Sequence, residues 1–400
     1  MKILFNIILI PALITGLFYT SNTSACRYTV REIGFSDIGS EPYLIYVFTN
    51  SDTPEDESST IEKLSFALLY DANIQLRTIN IDQEKDPVTL KYLDKYNFKT
   101  FPSALFVTPQ GESLDCRLNY PGRSFDESAY LMLENIVSSE IRNALIDQLL
   151  TSYCVVLVIQ GKNDQRNKMA LQEAEKAIRE ISGSLDQLPK VVSTPPSILV
   201  IPQNKMNDEK ILLMSLGITE KESTEPSVVV IYGRGRIMGP VLRGVQITNR
   251  RVFNLLTVVG ADCECGLDNS WLLGRMIPLR WEGSVQAEVI QMLEFDVENP
   301  WVKAEMSQIL SIKPIPDDPM NPLDNNLLGY SEGRFEVDSI TQDNSKISAS
   351  DIQMSFSETS PFKKSPVFRT IMMGFGGFVI IVLIVGVFLL VRFKRKKVSH

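Results

Sequence analysis

Tyr96-Asn97-Phe98-Lys99-Thr100-Phe101-Pro102-Ser103-Ala104-Leu105-Phe106-Val107 is the stretch that decides how this chain is read. A loop closes on Pro102, and an apolar run follows at once, as in a strand buried on both faces. Proline has no N–H to give a ladder, so it suits the entry of such a strand and not its middle. Gly111 then turns the chain into Ser113–Leu118, which predicts an antiparallel hairpin. Upstream lie the apolar run Tyr43–Phe48, a helical stretch over Asp56–Tyr70, the alternating Ile74, Leu76, Ile79 and Ile81, and a short helix over Pro87–Tyr96. Downstream, Leu131, Leu133, Ile136, Val137, Ile141, Leu145 and Leu149 have helical spacing across Phe125–Leu150. The order is βαβαββα, an α/β sheet covered on both faces with an antiparallel edge hairpin.

The same order then recurs. Cys154–Ile159 reads as a strand, Met169–Ile181 as an amphipathic helix, Ser197–Ile201 as a strand and Glu209–Leu216 as a helix. Glu225-Pro226 opens the strand Ser227–Tyr232, Gly233-Arg234-Gly235-Arg236 makes a hairpin turn, Ile237–Leu242 returns, and Arg250–Val259 closes the unit. Two tandem copies of one unit account for residues 42–260.

This order, with a proline just before the third strand and a glycine turn after it, resembles the thioredoxin-like superfamily. The resemblance covers about half the chain and implies that Pro102, and more weakly Pro226, are cis-prolines beside an active-site loop. Members of that family carry Cys-x-x-Cys between the first strand and first helix, where the helix dipole stabilises a thiolate. Here that loop reads Thr49-Asn50-Ser51-Asp52-Thr53-Pro54-Glu55-Asp56 in one copy and Gly161-Lys162-Asn163-Asp164-Gln165-Arg166 in the other. Neither holds a cysteine, so both copies read as redox-silent. Asp52 and Asp56 are expected to cap the first helix.

The ends set the compartment. Lys2 precedes an uncharged run from Ile3 to Phe18 and a small polar stretch, the layout of a secretory signal over residues 1–25 that makes Cys26 the first mature residue. Thr23-Ser24-Ala25-Cys26 is also an imperfect lipobox, with Cys26 as its acylation candidate; an uncleaved signal anchor is the third reading. Thr370 to Val391 is uncharged over 22 residues, about 33 Å as a helix, enough for a hydrocarbon core of about 30 Å. The basic tail 392–400 places the C-terminus in the cytoplasm by the positive-inside rule. The ectodomain then lies in the periplasm or another extracytoplasmic space, and after the signal it has no Asn-x-Ser/Thr acceptor site. Residues 313–369, rich in Pro, Asn, Asp and Ser, read as a disordered stalk. The expected organisation is signal 1–25, first unit 26–150, second unit 151–260, Cys-x-Cys loop and helical extension 261–312, stalk 313–369, membrane helix 370–391 and tail 392–400.

Composition narrows the chemistry. The chain has 400 residues, 48 acidic against 40 basic and a net charge of −8, which argues against nucleic acid. Its one histidine is His400, the last residue, which removes Ser-His-Asp and Cys-His pairs and histidine-ligated zinc or haem from the folded part. Five cysteines remain, Cys26, Cys116, Cys154, Cys263 and Cys265. Cys116 and Cys154 sit in apolar strands and read as buried thiols. Asp262-Cys263-Glu264-Cys265-Gly266 can be a redox pair, a soft-metal site or two halves of structural bridges. If Cys26 is lipidated, the other four can form two disulfides. Trp271, Trp281 and Trp301 follow, read as a helical extension packed on the second unit or as an aromatic contact surface. The expected function is a non-catalytic membrane-anchored binding or assembly module for other envelope or membrane proteins, with no cofactor and no nucleic acid. The alternative is an extracytoplasmic thiol-disulfide or soft-metal protein using Cys263 and Cys265.

Overall fold

The computed structural model describes residues 27–83, 86–219, 224–262 and 273–311. Among these no helix is long and apolar enough to cross a membrane. The signal, the stalk, the expected span Thr370–Val391, and Cys26, Cys263, Cys265 and Trp271 all lie outside them.

Helix α1 (Val30–Gly34) precedes the first sheet. Strand β1 (Tyr43–Thr49), helix α2 (Glu55–Leu68), strand β2 (Ile74–Asn80), helix α3 (Pro87–Tyr96), the hairpin β3 (Ser103–Val107) and β4 (Ser113–Cys116), and helix α4 (Phe125–Val137) follow. The sheet order is β2-β1-β3-β4. Strand β1 runs parallel to β2, from Tyr43 on Ile74 to Thr49 on Asn80, and antiparallel to β3, with Phe48 on Ser103. Side chains alternate across this sheet. Tyr43, Ile45 and Val47 share a core with Ile61 of α2 and Leu133 and Ile136 of α4, while Tyr46 and Phe48 face Tyr92 and Leu93 of α3.

The long helix expected over Phe125–Leu150 is two helices, α4 and α5 (Glu140–Thr151). Ser138 and Ser139 are both extended, and Ser139 caps α5 by accepting from the Arg142 amide. The Arg142 side chain folds back onto the end of α4 and donates to the Asn135, Ile136 and Ser138 carbonyls. It satisfies the orphan acceptors of a helix end that has no glycine to close it.

The second unit repeats the first: β5 (Val155–Ile159), α6 (Asp164–Ser182), β6 (Ser197–Ile201), α7 (Lys210–Ser215), β7 (Ser227–Tyr232), β8 (Arg236–Arg243) and α8 (Asn249–Val259). Its order is β6-β5-β7-β8, with β6 parallel to β5 and the other two pairings antiparallel. Helix α6 buries Ala170, Ala174, Ala177 and Ile181 in one core with Val252, Leu255 and Leu256 of α8; three alanines in the row let the two helices approach closely.

Two segments outside these repeats join this second core. Residues 26–42 were expected with the first unit, but Tyr28, Val30, Ile33 and Phe35 lie in the second unit's core. The reason is a close fit to the β7–β8 turn. A Cβ on Gly34 would stand 2.5 Å from the Tyr232 ring, and one on Gly233 (φ +55°) 2.2 Å from the Gly34 carbonyl carbon. Only two glycines allow that approach. From the other end, the extension contributes Ile277, Leu279 and Trp281 and the helices α9 (Gly283–Leu293) and α10 (Pro300–Ser311). Residues 275–281 bind both units: the Ile237 amide donates to Arg275 O at 2.8 Å and that of Ile277 to Gly235 O at 2.9 Å. On the first unit, the Trp281 amide donates to Asp71 O at 2.7 Å, and Asn73 is bonded through its side chain to Ile277 O and the Leu279 amide.

Arg236 ties these parts together. Its buried guanidinium donates to the carbonyls of Gly34, Ser36 and Ile38 in the N-terminal segment and of Gly274 in the extension. Arg31 reaches the Ser152 and Tyr153 carbonyls from α1, and Arg142 also takes the Pro278 carbonyl. Burial pushes Arg236 and Arg31 below the usual arginine range and Arg142 down to about 10. Arg236→Met keeps the bulk and strands the Ser36, Ile38 and Gly274 carbonyls, while the Gly34 carbonyl keeps the Arg234 amide as its donor. It should lower unfolding free energy by about 4 kcal/mol in a denaturant titration, the cost of several buried unpaired acceptors.

Candidate functional site

The first unit's strand-to-helix junction is closed by oxygen and nitrogen chemistry. Between β1 and α2 the chain turns at Asn50–Thr53. The Asn50 amide donates to Thr53 Oγ1 at 3.0 Å, that hydroxyl donates to Asn50 Oδ1 at 2.7 Å, and the Thr53 amide donates to Asn50 O at 3.1 Å. Ser51 donates to Asp82, beyond β2, through both its hydroxyl and its amide, which hold the Asp82 carboxyl below the usual carboxylate range. Asp52 and Asp56 do not cap α2: the N-cap is Pro54 and makes no side-chain bond. Glu55, Asp56 and Glu57 instead occupy the first turn, where carboxylates complement the dipole.

Beside this turn the Phe101–Pro102 peptide is cis. Because Phe48 pairs with Ser103, Thr49–Asn50 and Pro102 leave the sheet side by side. Asn97, in the left-handed region at φ 47°, ends α3 and swings Phe98 back over the sheet. There the Phe98 ring stands 5.7 Å from buried Phe48 and is stacked on Tyr96 at 5.6 Å, while Tyr46 lies 6.1 Å from Phe48 and 5.9 Å from Tyr92. The inner rings are buried, and Tyr92, Tyr96, Phe98 and Phe101 are half-buried. The result is an aromatic ledge next to Pro102, with Lys99 and Thr100 exposed at its rim.

The matching place in the second unit is shut. Asn167 of α6 clamps Gly161 by accepting from its amide at 2.8 Å and donating to its carbonyl at 2.9 Å. A Cβ on Gly161 would lie 2.5–2.8 Å from the backbone of Thr224, Glu225 and Pro226, and Arg166 is ion-paired with Glu225 across the gap. Among the described residues the cis peptide is that of Pro102, so Pro226 is corrected to trans. Thr224 O and Pro226 O are both held, by the amides of Lys162 and Gly244, which keeps the chain extended into Ser227.

The cysteines separate into two groups. Cys116 in β4 and Cys154 beside β5 are free; burial pushes the Cys116 thiol up to about 12 and also raises that of Cys154. Cys26, Cys263 and Cys265 lie outside the described residues. Among the described residues no three His, Cys, Asp or Glu side chains converge as metal ligands. Trp281 is buried in the second core, whereas Trp301 on α10 is 85% exposed. The Gly233–Arg236 turn is a hairpin turn, as expected, but sequence reasoning missed the structural role of its Arg236. Placing an arginine's charge in a core needs knowledge of which carbonyls will surround it.

No family model and no curated protein matches the sequence. Among solved structures the chain is similar to human ERp44 in its zinc-bound form, at 10% identity and TM-score 0.20, over 60% of this chain and 58% of that one. It is also similar to the first two thioredoxin domains of Saccharomyces cerevisiae Eps1p, at 13% identity and TM-score 0.18, over 54% and 87%. For the same two domains of Naumovozyma dairenensis Eps1p the values are 12%, 0.17, 50% and 84%. The chain thus spans less than two thirds of the ERp44 chain. At these scores the description of the fold rests on strand order and direction alone.

Thiol reactivity checks the cysteine assignment. Cys116→Ala/Cys154→Ala should leave the native-state count with an aromatic disulfide reagent unchanged, and the count should rise by two when the parent protein is unfolded. Because Cys116 titrates higher folded than unfolded, its neutral thiol contributes fully below about pH 8.5; that contribution is lost as pH rises toward 12. The denaturation midpoint should therefore fall through this alkaline window, and less steeply in Cys116→Ala.

Proposed function

We propose that this chain is a non-catalytic binding or assembly module built from two redox-silent thioredoxin-like units. One observation carries the reading: both strand-to-helix junctions are filled by hydrogen-bond networks without sulfur, Asn50–Ser51–Thr53–Asp82 in one unit and Gly161–Asn167 with Arg166–Glu225 in the other. The second junction is closed, which leaves the aromatic ledge beside Pro102 as the face for a partner. Half-buried rings backed by a rigid sheet suit an apolar segment of another envelope or membrane protein. In this reading Thr370–Val391 anchors the chain and the folded part faces the periplasm or another extracytoplasmic space.

Two measurements test it. Insulin reduction by dithiothreitol should run no faster with the protein than without; acceleration abolished by Cys263→Ser would establish the competing thiol-disulfide reading. A fluorescent Leu/Phe-rich model peptide should bind the purified protein by anisotropy. Phe98→Ala should weaken it about tenfold, as loss of one aromatic anchor does, and Trp301→Ala should leave it unchanged. Equal binding by the parent protein and Phe98→Ala would remove the ledge from consideration.

A further inference from the structure

The chain carries a net charge of −8, yet the edge of α3 that borders the aromatic ledge is basic. Lys91, Lys95 and Lys99 follow one another at intervals of four residues and are all exposed. On a helix, residues four apart share a stripe. Lys91 and Lys95 therefore run beside the equally spaced Tyr92 and Tyr96, and Asp94 lies on the side opposite those tyrosines. The two rings are pinned to the β3–β4 hairpin: the Tyr92 hydroxyl donates to Gly111 O at 3.2 Å and the Tyr96 hydroxyl to Ser113 O at 2.6 Å. Lys95 Nζ stands 5.1 Å from the Tyr96 ring centre and donates to Ser113 Oγ at 3.0 Å. Lys99, next to Phe98 in the chain, donates from Nζ to Asn97 Oδ1 at 3.0 Å. Both acceptors are neutral. The described lysines held in ion pairs are Lys176, Lys190, Lys205 and Lys303; Lys91, Lys95 and Lys99 are not among them. Exposed carboxylates gather instead on the other side of Pro102, at Asp52, Glu55 and Asp56. The ledge thus has a cationic edge along α3 and an anionic edge at the start of α2.

We propose that the ledge takes an acidic-apolar peptide segment of its partner: an apolar or aromatic side chain rests on Phe98 and Phe101, and carboxylates of the same segment pair with Lys95 and Lys99. The inference deepens, and rests on, the reading of the ledge as a partner face. Ammonium groups that donate only to neutral oxygens gain an ion pair when a carboxylate arrives, and no existing ion pair has to break. The anionic edge at α2 sets the direction, because it repels the acidic flank and leaves it the α3 side. Rings that are half-buried and held by their hydroxyls offer a surface to lie on and not side chains to insert, which favours a peptide over an anionic lipid surface.

The test is fluorescence anisotropy of the full chain with three peptides that share one Leu/Phe core: the bare core, the core with a glutamate flank and the core with a lysine flank. At low salt the glutamate-flanked peptide should bind about fivefold tighter than the bare core, the gain that exposed ion pairs give, and the lysine-flanked one more weakly. At about 1 M salt, where screening acts within roughly 3 Å, the three should converge. Lys95→Gln/Lys99→Gln should erase the gain and Lys95→Glu/Lys99→Glu should reverse the order. Lys168→Glu, which changes the charge on an exposed part of α6, should leave the order as it is. Equal binding of the bare and glutamate-flanked peptides by the parent protein, or a gain that survives Lys95→Gln/Lys99→Gln, overturns the proposal and leaves the ledge a partner face. Binding of none of the three removes the ledge reading itself. Cosedimentation with phosphatidylserine vesicles that is lost in Lys95→Gln/Lys99→Gln, without a preference among the peptides, overturns the proposal in favour of a lipid surface.

Discussion

A single guanidinium holds three segments of chain together. Arg236 stands at the start of β8 and is 1% exposed, with its donors spent on carbonyls from Gly34, Ser36, Ile38 and Gly274. A buried cation is costly unless its hydrogen bonds are met, so this arrangement works only when the N-terminal segment, the β7–β8 turn and the extension are present together. Arg31 and Arg142 repeat the device at the α5–β5 junction and at the break between α4 and α5. Each arginine answers backbone acceptors that no regular ladder reaches.

That packing determines which faces remain for a partner. Residues 275–281 lie along the β7–β8 turn of one unit and the entry to β2 of the other, so the two sheets are joined through backbone hydrogen bonds and through Arg142 on Pro278. The junction in the second unit is covered by its own Thr224–Pro226 backbone. The corresponding region of the first unit points away from residues 275–281 in sequence and in pairing: it is built from the carboxyl end of β1 and the loop before β3, while the extension meets residues 71–73 before β2. The ledge of Tyr96, Phe98 and Phe101 therefore belongs to the first unit alone.

Much of this was legible in the residues. The repeated strand and helix order could be read because each element carries its own periodicity, and the loop ending at Pro102 because a proline followed by an apolar run marks a strand entry. The break at Ser138–Ser139 was hidden by apolar spacing that continues in phase across it, although a serine three residues before Arg142 is a capping signal. The close approach of Gly161 to the Thr224–Pro226 backbone joins positions up to 65 apart in the chain, and no local pattern encodes it. Least legible was the N-terminal segment: Val30, Ile33 and Phe35 are apolar in any reading, and only their contacts say which sheet they serve. The Cys-x-Cys stretch, most prominent in the sequence, lies outside the described residues, while of the face beside Pro102 only the loop and the proline could be read, the rings of Tyr92, Tyr96 and Phe98 being brought together by the fold.

The separation between Gly34 and Arg236 has a consequence for synthesis. The two are 202 residues apart, so a ribosome adding about 5–20 residues per second makes the second roughly 10–40 s after the first. Over that interval the first unit's strands and helices are complete, while Tyr28, Val30, Ile33 and Phe35 have no core to enter. The leading segment is thus the first made and among the last to settle. A chain cut short before Val155 would leave that apolar leader exposed on an otherwise finished first unit, a form in which quality-control factors can distinguish an unfinished molecule from a complete one.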